Sequence, residues 1–549
     1  MRTLVSLQSL ALVSACLLVA APPAQADAVT AWNVTAGELL VQSRMGTPPA
    51  VRVMALVQTA VHESVADAQR LQASTDAAVA AANRVTLTQL LPQQEADITA
   101  AYRKALDKLG SAAGTTEGIA AGEHAARRVL AWRTGDGATA KDVYRPHTAA
   151  GQYVPTSPVA TPQWGQRKPW LMNDGAQFRP APPPALDSEQ WARDFNEVKA
   201  LGAKASAQRT AAQTEVAKFW EFSLPPIYFG VLRSVAEAPG RNPAQNARLF
   251  AAASQAMDDA VIAVMDAKYH YGFWRPVTAI RNGDRDGRED TAIEAGWAPL
   301  IDTPMHPEYP SAHSIIAASL GEVLKAHMAT TAGGRLPEFS TSSPTANGAT
   351  HRWTSVEAFT EEVSQARIWS GIHYRTSTQV GLDMGRRVGA LAAQRVATAP
   401  VDAGMPAALA ARQGARLLER VGARGVQIYE CRADAAAPTG ASWGFIAPQA
   451  TLFDAAGKPI GSHDAGPHWQ AADGSRVRGT VGAKADAPQA GAIPWLLLSA
   501  QSVGTQGRFA AVTAIQRVNT QGGTAPQRAC AAGDVERVPY TADYLMLAS

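Results

Sequence analysis

The chain has 549 residues, with 50 Lys and Arg against 47 Asp and Glu and a formal net charge of +3. That length is more than one compact core holds and predicts two or three domains. The near-balance of charge, without a long basic run interleaved with aromatics, gives no footing for a nucleic-acid partner.

Residues 1–26 carry Arg2, an apolar run from Leu10 to Ala21 and the small-residue ending Ala24-Gln25-Ala26. They predict a secretory signal peptide cleaved before Asp27, with a lipoprotein signal at Val13-Ser14-Ala15-Cys16 as the rival. No later segment reaches ~18 uninterrupted apolar residues, so no membrane span is expected and the mature chain should be secreted or periplasmic. Cys431 and Cys530 then remain, and in an oxidising compartment they most simply form one disulfide.

Apolar positions Val51, Met54, Ala55, Val57, Val61 and Val65 recur every three or four residues and predict a helix over 48–72. Further helices are expected over 93–109 and 116–133. His62 and Glu63, inside the first of these, read better as a buried structural pair than as metal ligands. Prolines between Arg145 and Ala185 exclude helix, while Trp164, Trp170 and Phe178 are too apolar for a free linker. An extended strap anchored by its aromatics is expected, with substrate contact by the tryptophans as the lesser reading. Helical spacing returns over 188–202, 210–222, 242–268, 311–328, 355–369 and 379–399.

After Arg424 the pattern alternates as strands do, at Val426–Glu430, Ala450–Phe453, Ile493–Leu498 and Ala510–Val518, with turn signals at Asp454–Gly457 and Asp473-Gly474. The expected organisation is a helical domain over 27–400, a linker or terminal helix over 401–424 and a small β domain over 425–549. His463, Asp464 and His468 could hold a metal, but turn residues of a β domain explain them as well.

The chemistry concentrates in three stretches. Lys268 is followed after six residues by Arg275-Pro276; then come Pro310-Ser311-Ala312-His313 and Arg367 followed after five residues by His373. A tetrahedral oxyanion needs cations, neutral donors and one atom able to bond its central element, and these residues supply that inventory. Ser311 precedes an apolar-periodic run and suits a helix N-cap, beside which the amides of Ala312 and His313 are free for an anion. Lys268 and Arg275 lie ~10 Å apart along a straight helix, and Arg367 and His373 project ~120° apart on one, so breaks at Gly272 and Gly371 are expected to let each pair converge. Tyr269, Tyr271, Phe273 and Trp274 read either as core packing or as the lining of a halide or peroxide pocket.

The pattern resembles the superfamily of type-2 phosphatidic acid phosphatases and vanadium-dependent haloperoxidases, over Lys268 to about Gly389 in its motifs. The resemblance implies an all-α helical bundle with the anion site in its core. It makes Lys268, Arg275 and Arg367 the residues that contact the oxyanion, His313 the proton donor and acceptor, and His373 the ligand of vanadium or the nucleophile toward phosphorus. The absence of membrane spans and the long helical domain favour the haloperoxidase-like branch, with vanadate as cofactor and peroxide and halide as substrates. A secreted acid phosphatase without cofactor, acting on a phosphomonoester through a phosphohistidine, is the second reading, and a noncatalytic oxyanion-binding surface protein the third. Two departures stand out: Ala312 occupies the family's usual Gly, and Ser377 stands where the family has an Asp that fixes the second histidine's tautomer. Without that charge, a less basic His373 and weaker anion binding are expected. The run from Gly425 to Cys431, with the segments ending in His463, Trp469 and Trp495, is similar to a domain family of unknown function in secreted proteins.

Overall fold

The computed structural model describes residues 27–548, apart from 239–240, 330–337, 398–405 and the short stretches or single positions 410, 412–414, 436, 438–439, 455–457, 488, 490 and 505. The expected signal peptide therefore lies outside the described residues, as does most of the turn expected at Asp454–Gly457.

Helices run in the order α1 (Ala28–Gln42), α2 (Thr47–Leu71), α3 (Thr75–Leu90), α4 (Glu95–Leu109), α5 (Thr115–Trp132), α6 (Glu189–Gly202), α7 (Ala211–Phe219), α8 (Pro225–Ala236), α9 (Pro243–Tyr271), α10 (Pro276–Ile280) and α11 (Ala312–Ala329). After a hairpin of β1 (Phe339–Ser343) and β2 (Ala349–Trp353) come α12 (Val356–Trp369) and α13 (Arg375–Ala397). Asn242 opens α9 with a capping box, and its side is buried almost all round from Asn246 to Lys268, so α9 is the axis of the bundle. Helices α2, α11 and α13 pack against it.

The segment before α6 is the strap that its prolines and aromatics predict. Trp164 and Trp170 are buried. Arg167 forks onto Asp258 of α9 at 2.8 and 3.1 Å, and Asp259 accepts the backbone N–H groups of Trp170, Leu171 and Met172 at 2.7–3.0 Å. The tryptophans are thus anchors.

One contact between helices places the chemistry. Gly381, Gly385 and Gly389, one per turn of α13, lie against the carbonyls of Ser311, Ile315 and Ser319; a Cβ there would come within 2.7, 2.4 and 2.6 Å of those oxygens. Only a side chain of hydrogen lets α11 and α13 approach so closely, and their N-terminal ends, with Ser311 and His373 beside them, are brought together. Ser311 N–H donates to the Ser377 carbonyl at 3.0 Å, closing the same corner.

The C-terminal domain is a closed antiparallel barrel of eight strands: β3 (Arg416–Ala433), β4 (Ala441–Phe453), β5 (Pro459–Asp464), β6 (His468–Ala471), β7 (Arg476–Ala485), β8 (Trp495–Val503), β9 (Ala514–Gly522) and β10 (Val535–Ala548), closed by β10 between β9 and β3. This corrects the expected boundary. Residues 416–424 are neither linker nor terminal helix but the first half of β3, paired along β10 from Ala548 down to Thr541. Val421 and Ala423, two apart, face the barrel core, whereas Leu417, beyond a bulge in the pairing with β10, packs with Leu409 and Trp495 in a separate cluster. Cys431 and Cys530 are joined as a disulfide that ties β3 to the loop before β10. No described helix is long and apolar enough to cross a membrane.

Candidate active site

The two glycine breaks act as their positions suggest. Gly272 ends α9 in the left-handed conformation (φ 59°), and Arg275, three residues on, turns back toward Lys268 as it enters α10. Gly371 (φ 78°) separates α12 from α13, so Arg367 and His373 leave different elements toward one centre.

Lys268, Arg275, Arg367 and His373 are all buried. Arg275 Nη1 lies 2.8 Å from the Ile372 carbonyl and 3.3 Å from His373 Nε2, while its Nε donates to the His306 carbonyl at 3.0 Å. Arg367 donates through Nη1 to the Trp220 carbonyl, and its Nε has no partner. Ser311 N-caps α11: its Oγ accepts from Ser314 N at 3.4 Å and from Ser314 Oγ at 3.0 Å, which leaves its own proton to give. Ala312 and His313 form the first turn, where N–H groups have no intrahelical acceptor. His313 lies beside the Trp220 backbone, and its Nε2 is buried without a partner.

Lys268 differs from expectation. Its ammonium donates to the carbonyls of Pro307 at 3.0 Å, Glu308 at 2.7 Å and Pro310 at 2.5 Å. All three N–H bonds are thus taken, and the residue offers the centre its charge rather than a free donor.

Sequence reasoning missed Glu308, although it stands three residues before Ser311. Its buried carboxylate accepts His373 Nδ1–H at 2.6 Å and Tyr374 N–H at 3.1 Å through Oε1, and the Ser377 hydroxyl at 2.6 Å through Oε2. One premise drawn from Ser377, that its hydroxyl would receive the ring N–H, is corrected. Its hydroxyl bonds the carboxylate rather than the ring, and a negative charge does face His373. It comes from the loop before α11 rather than from the turn after the histidine. His306, also missed, brings Nδ1 to 3.0 Å from Arg275 Nη2.

Electrostatics sum up the arrangement. Three cations and one carboxylate are buried together, an excess of positive charge that the protein itself does not balance. Burial lowers Arg275 to about 10, opposed chiefly by Glu308, and it lowers Arg367 to about 10 and Lys268 well below its usual range, the latter also through repulsion by Arg275. Burial and the neighbouring cations hold His313 and His373 far below the usual imidazole value, so both rings are neutral. Burial lifts Glu308 to about 7 against the pull of Lys268 and Arg275.

These residues fit a tetrahedral oxyanion such as vanadate. The Nε of Arg367 and the Nε2 of His313 lack partners, the Ser311 hydroxyl keeps a proton to give, and an anion would offset the charge excess. The Tyr228 hydroxyl, also buried without a partner, belongs to a ring 6.5 Å from that of His313.

Other expected sites resolve as structure. Phe273 and Trp274 pack among Trp191, Tyr309 and Tyr374, while Tyr269 and Tyr271 donate to the strap carbonyls of Ala160 and Pro180, as core and anchor residues. Glu63 pairs with Arg128 at 2.9 Å. His463 stacks on Trp469 with ring centres 4.3 Å apart and bonds the His468 carbonyl. Among the described residues no His, Cys, Asp and Glu cluster could hold a metal ion.

Residues 248–400 match the family model of the VCPO second helical-bundle domain, and residues 412–548 match a family described as a protein of unknown function (DUF3455). The vanadium chloroperoxidase of Curvularia inaequalis is 23% identical over 209 residues, 33% of this chain and 34% of that protein, so the match spans about a third of the relative's length. The first bacterial vanadium-dependent iodoperoxidase structure superposes with a TM-score of 0.58 at 23% identity, covering 66% of this chain and 95% of that one. A bacterial vanadium-dependent chloroperoxidase in its apo form gives 0.52 at 17% identity, covering 63% and 93%. Residues 248–400 thus carry the helical-bundle domain of vanadium haloperoxidase type, the helical part as a whole shares its fold with the bacterial vanadium-dependent haloperoxidase structures, and a DUF3455 barrel follows.

Proposed function

We propose that the protein is a vanadium-dependent haloperoxidase-like enzyme, exported from the cytoplasm, that oxidises halide with hydrogen peroxide. The single observation that carries this reading is the buried excess of cations around a neutral His373, whose Nε2 lone pair faces Arg275. Vanadate would be held by His373 Nε2, Arg275, Arg367, Ser311 and the amides opening α11, and would supply a Lewis-acid centre for activating peroxide. The overall reaction takes one peroxide, one halide and one proton to hypohalous acid and water. His313 suits the proton steps: its neutral ring can take a proton from peroxide and return it to the oxygen that leaves as water. Arg367 keeps an N–H for the oxygen on which charge develops, and Lys268 adds field without a bond. These side chains are buried, which strengthens each of these interactions.

The test is halogenation of monochlorodimedone by the purified chain with vanadate, peroxide and bromide, beside p-nitrophenyl phosphate hydrolysis without vanadate. Halogenation that needs vanadate and vanishes in His373→Ala is expected. Hydrolysis inhibited by vanadate, without halogenation, would instead make the chain a phosphatase acting through His373. Absence of both would leave an oxyanion-binding protein.

A further inference from the structure

The residue four positions after His373 is Ser377, which has no charge to orient an imidazole. The charge comes from elsewhere. Glu308 is fully buried, and each of its oxygens receives a side-chain donor: His373 Nδ1 at 2.6 Å on Oε1 and Ser377 Oγ at 2.6 Å on Oε2, with Tyr374 N–H also on Oε1 at 3.1 Å.

Its backbone is equally fixed. Glu308 N–H donates to the Phe273 carbonyl at 2.8 Å, and its own carbonyl and those of Pro307 and Pro310 are gathered by the Lys268 ammonium. A carboxylate so held has one orientation to offer, and the ring that bonds it has one tautomer: the proton on Nδ1 and the lone pair on Nε2, toward Arg275.

We infer that Glu308, clamped by Ser377, is the positioning residue that makes His373 an Nε2 ligand for the oxyanion, and that Lys268 acts in the site chiefly by holding the loop that carries it. The inference rests on the proposed oxyanion chemistry at His373. It adds that this chain supplies the orienting charge from the loop before α11, with the serine as clamp rather than as a weak substitute.

Equilibrium binding of orthovanadate to the full chain, measured as bound vanadium after gel filtration, tests it in four proteins: the unaltered chain, Glu308→Gln, Glu308→Ala and Glu308→Ala/Ser377→Asp. Glu308→Gln keeps the shape and an acceptor for the ring N–H but removes the charge, and the expected loss is about 10–100-fold in affinity, the range found when a residue behind a metal ligand is changed. The double variant returns a carboxylate from the other side of the same gap and is expected to regain at least about tenfold over Glu308→Ala, a recovery that a packing role would not produce. Affinity within twofold of the unaltered chain in Glu308→Gln, or no recovery in a folded double variant, overturns the role of Glu308 and leaves the oxyanion site standing. Should Glu308→Ala not fold, Glu308→Gln decides alone. An unaltered chain that binds neither vanadate nor inorganic phosphate overturns both this inference and the proposed function.

Discussion

Lys268 and Arg367 are both buried cations of one site, yet their bonding separates their roles. Lys268 satisfies three carbonyls of the loop 307–310. Replacing it by methionine leaves those oxygens without partners, at about 1–3 kcal/mol for each one that water does not reach. Arg367 bonds one carbonyl and keeps its Nε free. Lys268→Met is therefore expected to lower the melting temperature and vanadate affinity together. Arg367→Gln should lower affinity with a clearly smaller change in melting. Calorimetry beside vanadate binding checks the pair, and equal melting losses in the two would refute the division. The invisibility of Glu308 in the sequence belongs at this scale too. An Asp four residues after a histidine is a local pattern, whereas a partner that comes from 65 residues away is set only by the fold.

Among the elements, two glycines that break helices at the site have unequal surroundings. At Gly272 (φ 59°) an added Cβ meets only the Gln152 side-chain oxygen, at 2.9 Å, and that side chain can move. At Gly371 (φ 78°) the Cβ would fall 2.3 Å from the Gly202 carbonyl oxygen and 2.9 Å from Pro299 Cβ. Gly272→Ala is expected to cost about 1–2 kcal/mol, the ordinary penalty of a left-handed alanine. Gly371→Ala adds a backbone clash to that penalty, displaces α12 from α13, and is expected to weaken vanadate binding at least about tenfold, the order of effect that misplacing a group by an ångström produces. Urea melts and vanadate titration of the two variants measure the difference, and equal effects would show that the crowding at Gly371 relaxes freely. Helix α6, with one apolar stripe and a Ser188 cap, was legible in the sequence, as were α2, through its apolar residues at helical spacing, and the long α9. Helix α3 was not, because Ala77 through Ala82 are buried on every side and leave no period to read. Helix α8 has an apolar stripe at Ile227, Val231, Leu232 and Val235, but it is short and opens on two prolines that read as a break. In the barrel, β5, β6 and β7 escaped notice because they are short or, like β7, carry glycines and exposed residues that blur the alternation.

Across the whole molecule, the barrel and the bundle meet through buried charge. Arg70 of α2 bonds Asp67 at 2.6 Å, the Asn519 carbonyl at 3.2 Å and Asp543 of β10 at 3.4 Å. Arg420 of β3 takes the other oxygen of Asp543 at 2.8 Å, and Arg424 reaches the Arg70 carbonyl. Burial alone would raise Asp543, but Arg420 and Arg70 outweigh it and hold the carboxyl at about 2. A carboxylate whose folded value lies below its unfolded one stabilises the folded state above the ordinary range near ~4, and loses that contribution as pH falls through the folded value. Docking of the barrel should accordingly be complete at neutral pH and fail toward pH 2. Arg70→Met leaves Asp67 and Asp543 short of a partner inside the interface, which for a broken buried pair costs about 3–5 kcal/mol. The expected calorimetric outcome is that the variant melts at pH 7 with the barrel transition resolved below that of the bundle, while near pH 2 it and the unaltered chain converge. Coincident melting of the two proteins at pH 7 would mean that apolar contact, and not this network, joins the domains.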